Sequence, residues 1–280
     1  MMGSPRQDAA TEYQPGLGAD GALLNLAVRH YVSLPQASAG QRNQTLHLPP
    51  AEAALLLLNL YGWLLPTEHP ARQGLVALYG AAEVARREAI VEQSILPVMA
   101  AVRQAGIALV YVADSSPAIA LEHTHIRRVM VEHLGIDPLV DYAEEGNDPF
   151  EYASPGGNRI AYAPAVSPQP DDYYVRKWTY SAFHATRLDR LLRNLGTRVL
   201  LCAGFNGDSD LLCSLLEGHA LGYRMVLLRD AHAALHLPSL EPAMDLTQRL
   251  ELYAEGSLGF SAAPADLICA CHESAERRDA

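Results

Sequence analysis

The chain has 280 residues, 49% of them hydrophobic and 19% charged, with a formal net charge of −11. That is ample apolar material for one large α/β domain or two small ones, and the acidic balance excludes the broad basic face that nucleic-acid binding requires. No apolar run approaches the roughly 20 residues that span a bilayer, and the polar start of the chain lacks a signal-peptide core, so residues 1–21 read as a disordered tail on a cytoplasmic protein with no membrane partner.

Residues 22–34 alternate partly as a strand does. Residues 35–43 read as a polar linker, and residues 45–48 as a second alternating piece ended by Pro49 and Pro50. Residues 22–50 are therefore expected to form an N-terminal arm or hairpin, added to a main α/β domain over residues 51–280. In that domain, residues 54–58 are a pure apolar strand. A long amphipathic helix follows over residues 86–104, with Ile90, Ile95, Val98, Met99 and Val102 at helical spacing and Gly106 as its stop. Residues 107–113 form a second apolar strand, which closes a βαβ unit; Asp114-Ser115-Ser116-Pro117 lies at its carboxyl end.

Residues 119–134 read as helical, residues 144–158 as an acidic surface excursion, and residues 159–166 as holding a short strand. A strand at Tyr173-Tyr174-Val175 leads into residues 176–183. A helix over 187–195 is stopped by Gly196, a buried strand covers 199–203, and a helix runs from 208 to 221. The strand at 225–228, a helix over 241–255 and a last strand at 267–270 complete the pattern. Helices alternating with apolar strands predict a doubly wound three-layer α/β sandwich with a mostly parallel central sheet.

No glycine-rich phosphate loop is present, and no cofactor is expected. Four cysteines are too sparse for a disulfide framework. Cys269-Ala270-Cys271-His272 lacks the spacing of a four-ligand zinc site and reads as small residues ending a strand. His69, His123, His125 and His232 are scattered, so no metal is expected.

In open α/β sheets, ligands bind at the carboxyl ends of the strands. The stretch from Val199 to Cys213 reads as strand, glycine turn and helix start. It brings Asp208 and Asp210 to a helix N-terminus, where free N–H groups favour negative charge.

Four segments together resemble the isochorismatase-like, or cysteine hydrolase, superfamily. They are the apolar strand running into Asn59-Leu60-Tyr61-Gly62; the strand from Gln104 to Val112; Lys177-Trp178-Thr179-Tyr180-Ser181-Ala182-Phe183, similar to a Lys-x-x-Tyr-Ser-Ala-Phe signature; and Gly204 to Asp210 with Leu221-Gly222-Tyr223 and Asp230. The resemblance implies an isochorismatase-like fold, a homo-oligomer, and cleavage of amides or a vinyl ether in small metabolites. It also implies an Asp base, a Lys partner and a Cys nucleophile at a helix N-terminus, with a cis peptide at Phe205–Asn206 shaping an oxyanion site from backbone N–H groups. Carried over residue by residue, the base position holds Asn59, which cannot usefully accept a proton. The nucleophile position holds Asp210, and Lys177 alone matches. Cys213 stands one helical turn late and reads as core, so no thioester mechanism is expected.

The candidate catalytic residues are thus Asp210, Lys177 and Asn59. Asp210 reads either as an acid–base or nucleophilic carboxylate, or as a helix-start charge. Lys177 holds an anionic substrate group, or pairs with Asp210, or both. Asn59 donates to a substrate carbonyl, or is a remnant. Candidate substrate-binding residues are Tyr61, Trp63, Phe183, Phe205, Asn206 and Ser209; Asp208 and His184 read equally as a cap and a surface histidine. Two functions fit: an enzyme with rebuilt chemistry on a small metabolite, an anionic one among the options, by hydrolysis or by proton transfer such as elimination or cyclisation; or a non-catalytic binding or assembly subunit.

Overall fold

The computed structural model describes residues 23–114, 116–117, 125–129, 131–132, 135, 152–153, 162–235 and 245–279. The tail expected over residues 1–21, and most of the excursion expected over 144–158, lie outside these residues.

The N-terminal hairpin consists of β1 (Leu24–Val32) and β2 (Gly40–Leu48), paired antiparallel from Leu24↔Leu48 to Val32↔Gly40. Its second strand starts earlier than the alternation alone suggests, inside the stretch read as linker. Leu24, Leu26, Val28, Leu46 and Leu48 are buried on one face, as period-2 patterning dictates.

The main domain contributes β3 (Ala53–Leu58), α1 (Pro70–Tyr79), α2 (Ala81–Ile90), α3 (Leu96–Ala105) and β4 (Ala108–Asp114). A two-stranded ribbon of β5 (Ser116–Pro117) and β6 (Tyr152–Ala153) lies beyond β4, with the short helix α4 (His125–Val129) between them in the chain. After it come β7 (Tyr173–Lys177), α5 (Leu188–Asn194), β8 (Val199–Gly204), α6 (Leu212–Ala220), β9 (Arg224–His232), α7 (Leu246–Tyr253), β10 (Gly259–Ala262) and α8 (Pro264–Asp279).

Eight strands form one sheet in the order β2-β1-β10-β9-β8-β3-β4-β7. From β10 to β7 every pairing is parallel. The hairpin extends this sheet through an antiparallel pairing of β1 with β10 at Arg29↔Ser261. β3 is covered on both faces: Leu55 and Leu57 belong to one core, with Val98, Val102 and Leu267, while Leu56 and Leu58 belong to the other, with Leu188, Leu192 and Leu215. Burial on both sides explains its unbroken apolar sequence.

Two expectations are corrected, and a third is extended. The helix expected over 86–104 lies within a continuous helical stretch from Ala81 to Ala105, and α1 precedes it as a separate helix. α1 begins at Pro70, with the His69 ring accepting the Ala71 N–H at 3.2 Å, and a π-helical turn (Val91–Ile95) joins α2 to α3. Where a short strand was expected within 159–166, the described part holds a 3-10 turn (Pro164–Val166), as Pro164 at its start favours. The last strand is Gly259–Ala262, and residues 267–270 belong to α8, so Cys269 and Cys271 do not end a strand. A four-residue apolar run cannot by itself separate strand from buried helix.

Candidate active site

β3, β4, β7 and β8 lie side by side in the sheet, and their carboxyl ends converge. Each delivers one polar side chain. β8 must pass so close to β3 that a side chain at Gly204 would collide with the Leu58 backbone, and its φ of +113° also requires glycine. The turn after it carries the cis peptide at Phe205–Asn206 that the resemblance implies. A π-helical turn (Gly207–Leu211) then presents Asp210.

Lys177 ends β7 and is fully buried. Its ammonium donates to Asp114 Oδ1, to Asp210 Oδ1 and, at 3.3 Å, to the Thr179 carbonyl. All three of its N–H donors are therefore engaged. Asn59 follows β3 with φ +53°. Its Nδ2 donates to Asp114 Oδ2 at 2.9 Å and to Asp210 Oδ1 at 3.1 Å, and its Oδ1 accepts the Asp114 N–H at 3.2 Å. An amide suits this place because it bridges two carboxylates without adding a third charge. The Tyr61 hydroxyl donates to Asp114 Oδ2 at 3.3 Å, and the Ser209 hydroxyl to Asp210 Oδ2 at 3.0 Å.

Asp114 is the residue that sequence reasoning missed. The only available signal was its place at the end of an apolar strand. It is also the reachable carboxylate: its side chain is 32% exposed, against 3% for Asp210. Burial pushes the Asp114 carboxyl up to about 6, with Lys177 opposing and the Asp210 charge adding to the rise. Burial alone would depress Lys177, but the two carboxylates outweigh it and raise its pKa. Burial, then Asp114, lifts Tyr61 well above the usual phenol range.

The remaining expected residues divide. Lys177, Asp210, Asn59, Tyr61 and Ser209 meet in this cluster. Trp63 and Phe205 are core residues behind it, with ring centroids 5.0 Å apart, and the Trp63 indole N–H donates to the Asn59 carbonyl at 3.0 Å. Phe183 lies in the core on the other face, stacked on Tyr223 with centroids 5.8 Å apart. These three support the loops from the core. Asn206 is engaged away from Lys177: its Oδ1 accepts from Arg87 Nη1 at 2.6 Å and from the Tyr79 hydroxyl at 3.3 Å. Asp208 accepts the Leu235 N–H at 2.8 Å, and His184 is exposed. Cys213 is half-buried; burial, then the Asp210 charge, raises its thiol pKa, so it stays protonated. Among the described residues, no group of three or more His, Cys, Asp or Glu is placed to hold a metal ion, and no helix is long and apolar enough to cross a membrane.

Comparison with known proteins agrees with this fold. Residues 73–250 match the model of the Isochorismatase domain. A stretch of 76 residues, 27% of this chain, is 36% identical to the ureidoacrylate amidohydrolase RutB of Azorhizobium caulinodans, and spans only 34% of that protein. Among solved structures, a cysteine hydrolase from Pseudomonas syringae pv. phaseolicola 1448A superposes with a TM-score of 0.61 at 22% identity, covering 80% of this chain and 94% of that one. An isochorismatase family protein from Desulfovibrio vulgaris subsp. vulgaris str. Hildenborough gives a TM-score of 0.53 at 19% identity, covering 77% and 96%. With its mostly parallel eight-stranded sheet flanked by helices, the chain belongs to the isochorismatase family of hydrolase-like α/β proteins.

Proposed function

We propose that this protein is a hydrolase-type enzyme acting on a small metabolite by acid–base chemistry, without a thioester intermediate. Asp114 moves the proton, Lys177 fixes the charge of the site, and Asp210 stands as a buried carboxylate where relatives by resemblance carry the thiol. The observation that carries this reading is the asymmetry of the two carboxylates around one ammonium: Asp210 is sealed and Asp114 is open. Above about pH 6 the Asp114 carboxylate is ionised and can take a proton from water as the oxygen attacks the substrate carbon. The C–N or ether bond then breaks, and the same proton passes to the leaving group, which returns Asp114 to its starting state. The same base serves an elimination or cyclisation if the proton comes from the substrate instead of water.

Lys177 has no donor left for a substrate anion, and two carboxylates against one ammonium leave the cluster negative at neutral pH. This favours an uncharged or cationic substrate over an anionic one. The proposal includes a homo-oligomer working in the cytoplasm; a monomeric mass in sedimentation equilibrium contradicts the first part.

A second reading, a non-catalytic binding or assembly subunit, is favoured by the closure of the network, since every oxygen of both carboxylates already has a donor. Turnover separates the two. Purified protein is assayed for product release from small amides and vinyl ethers, uncharged ones first, with ureidoacrylate, taken from the relative's name, as the anionic arm expected to be turned over less well. On the acid–base reading, Asp114→Asn lowers turnover by about 10²–10⁴-fold while Cys213→Ser does not, and kcat/KM falls about tenfold per pH unit below the Asp114 pKa. Full turnover in Asp114→Asn sinks that reading. No turnover across the panel supports the second.

A further inference from the structure

Arg87 on α2 is completely buried. Charged side chains are rarely buried without partners, and its partners lie on four segments besides its own helix. Nε donates to Glu83 one turn back at 2.7 Å, Nη1 to Asn206 Oδ1 at 2.6 Å after β8, and Nη2 to the Ala234 carbonyl at 3.4 Å after β9. The guanidinium also lies over the rings of Tyr79 at 4.4 Å, Phe205 at 5.3 Å and Trp63 at 5.8 Å from the centroids.

These contacts converge on the two turns that carry Asn59 and Asp210. Trp63 grips the first by its bond to the Asn59 carbonyl. The second is held at its start, where Asn206 accepts from both Arg87 and Tyr79, and its own carbonyl accepts the Leu211 N–H at 3.0 Å. Next to it, the Gly207 N–H donates to the Ala233 carbonyl at 2.8 Å, and a side chain on Gly207 would come within 3.0 Å of the backbone there. A planar fork with fixed donor directions suits such a junction, and a lysine does not.

We propose that Arg87 is a positioning residue for the site, clamping through Asn206 and Phe205 the turn that carries Asp210, and through Trp63 the turn that carries Asn59. The inference rests on the reading that the Asp114–Lys177–Asp210 cluster performs the chemistry. Arg87 touches none of those three groups in the bonds described; it fixes how closely two of the turns approach Asp114.

The test reads the cluster directly and needs no substrate. Asp114 is followed by carbon-13 NMR of aspartate-labelled protein, its signal identified by loss in Asp114→Asn. In the wild type its midpoint is expected near 6, where burial and the Asp210 charge push it. Loosening the clamp admits water and lets the Asp210 charge recede, so Arg87→Met and Asn206→Ala each move the midpoint by about one unit or more toward the ordinary carboxylate range. The double variant moves it no further than the larger single. Arg87→Lys, which keeps the charge and loses the fork, falls between. Leu192→Ala, a cavity in the core across the sheet, lowers stability and leaves the midpoint in place, which separates positioning from general destabilisation. If Arg87→Met does not fold, Asn206→Ala decides the matter with the buried cation intact. A wild-type midpoint near 6 that is unmoved in the variants overturns the clamp alone. A wild-type midpoint already in the ordinary carboxylate range means that the turns impose no shift for Arg87 to maintain and overturns the clamp as well, while the acid–base reading is decided separately by the turnover of Asp114→Asn.

Discussion

At the carboxyl ends of β4 and β7, Lys177 lies between Asp114 and Asp210, two acids against one base. At the seam between the N-terminal hairpin and β10, Glu255 accepts from Arg29 at 2.6 Å, from Ser261 at 2.7 Å and from Gln41 at 3.2 Å. Ser261 in turn accepts from Arg229 at 2.8 Å, and Glu251 lies 3.7 Å from Arg29. Both clusters bury a carboxylate almost fully, yet only the seam balances its charges, with two arginines against two glutamates, and Arg29 keeps 28% of its side chain in solvent. An ion cluster whose charges balance joins two pieces of sheet. One with two acids against a single base holds a carboxyl far from its ordinary proton affinity, as functional sites tend to.

Substitutions can break or sharpen this contrast. Lys177→Met strands two neighbouring carboxylates and is expected to cost about 3–5 kcal/mol at pH 7 in urea unfolding; a loss no larger than at the seam would erase the distinction. Glu255→Gln is expected to cost less, about 1–3 kcal/mol, because Arg29 can turn to water, and to leave any turnover intact. Asp114→Asn tests the imbalance through its pH dependence. The folded chain keeps a proton on Asp114 up to about 6, whereas the unfolded chain releases it near the ordinary aspartate value of 3.8. Folding thus takes up a proton between those values. The stability Asp114 contributes is fully present below about pH 4 and is lost as pH rises through about 6. The variant should lack that slope in melts from pH 4 to 7, and an unchanged slope would count against an unbalanced site. Smallest of all, Cys213→Ser at a protonated, half-buried thiol should leave both stability and turnover within error.

Much of the fold was legible because its signals are local. The apolar runs of β3, β4 and β8, and the stops at Gly106, Gly196 and Gly222, need no partner to be read. Errors fell where a local signal was ambiguous or overlooked. Residues 267–270 are apolar in either a strand or a helix, and α1 was passed over although Pro70 sits at its first turn. The site was half legible. Lys177 and Asp210 could be placed from the resemblance, which also directed attention to position 59 for a base. A single Asp ending a strand carries no such mark, and Asp114 gains its meaning only from a neighbour 63 residues away in sequence. Arg87 was hidden for the same reason: an arginine on a helix normally faces water, and only tertiary packing encloses it.

The pairing of β4 with β7 runs in register from Val110↔Tyr173 to Asp114↔Lys177, so the ion pair is also the last rung of that ladder. Among the described residues, β7 is the outer strand of the sheet, with β4 as its one neighbour. Side chains alternate between faces along a strand, so a slip of one residue would carry the ammonium to the opposite side of the sheet and away from both carboxylates. The attraction that equips the site therefore also serves as a check on assembly: an edge strand docked one step out of place forfeits its strongest electrostatic contact and has reason to let go.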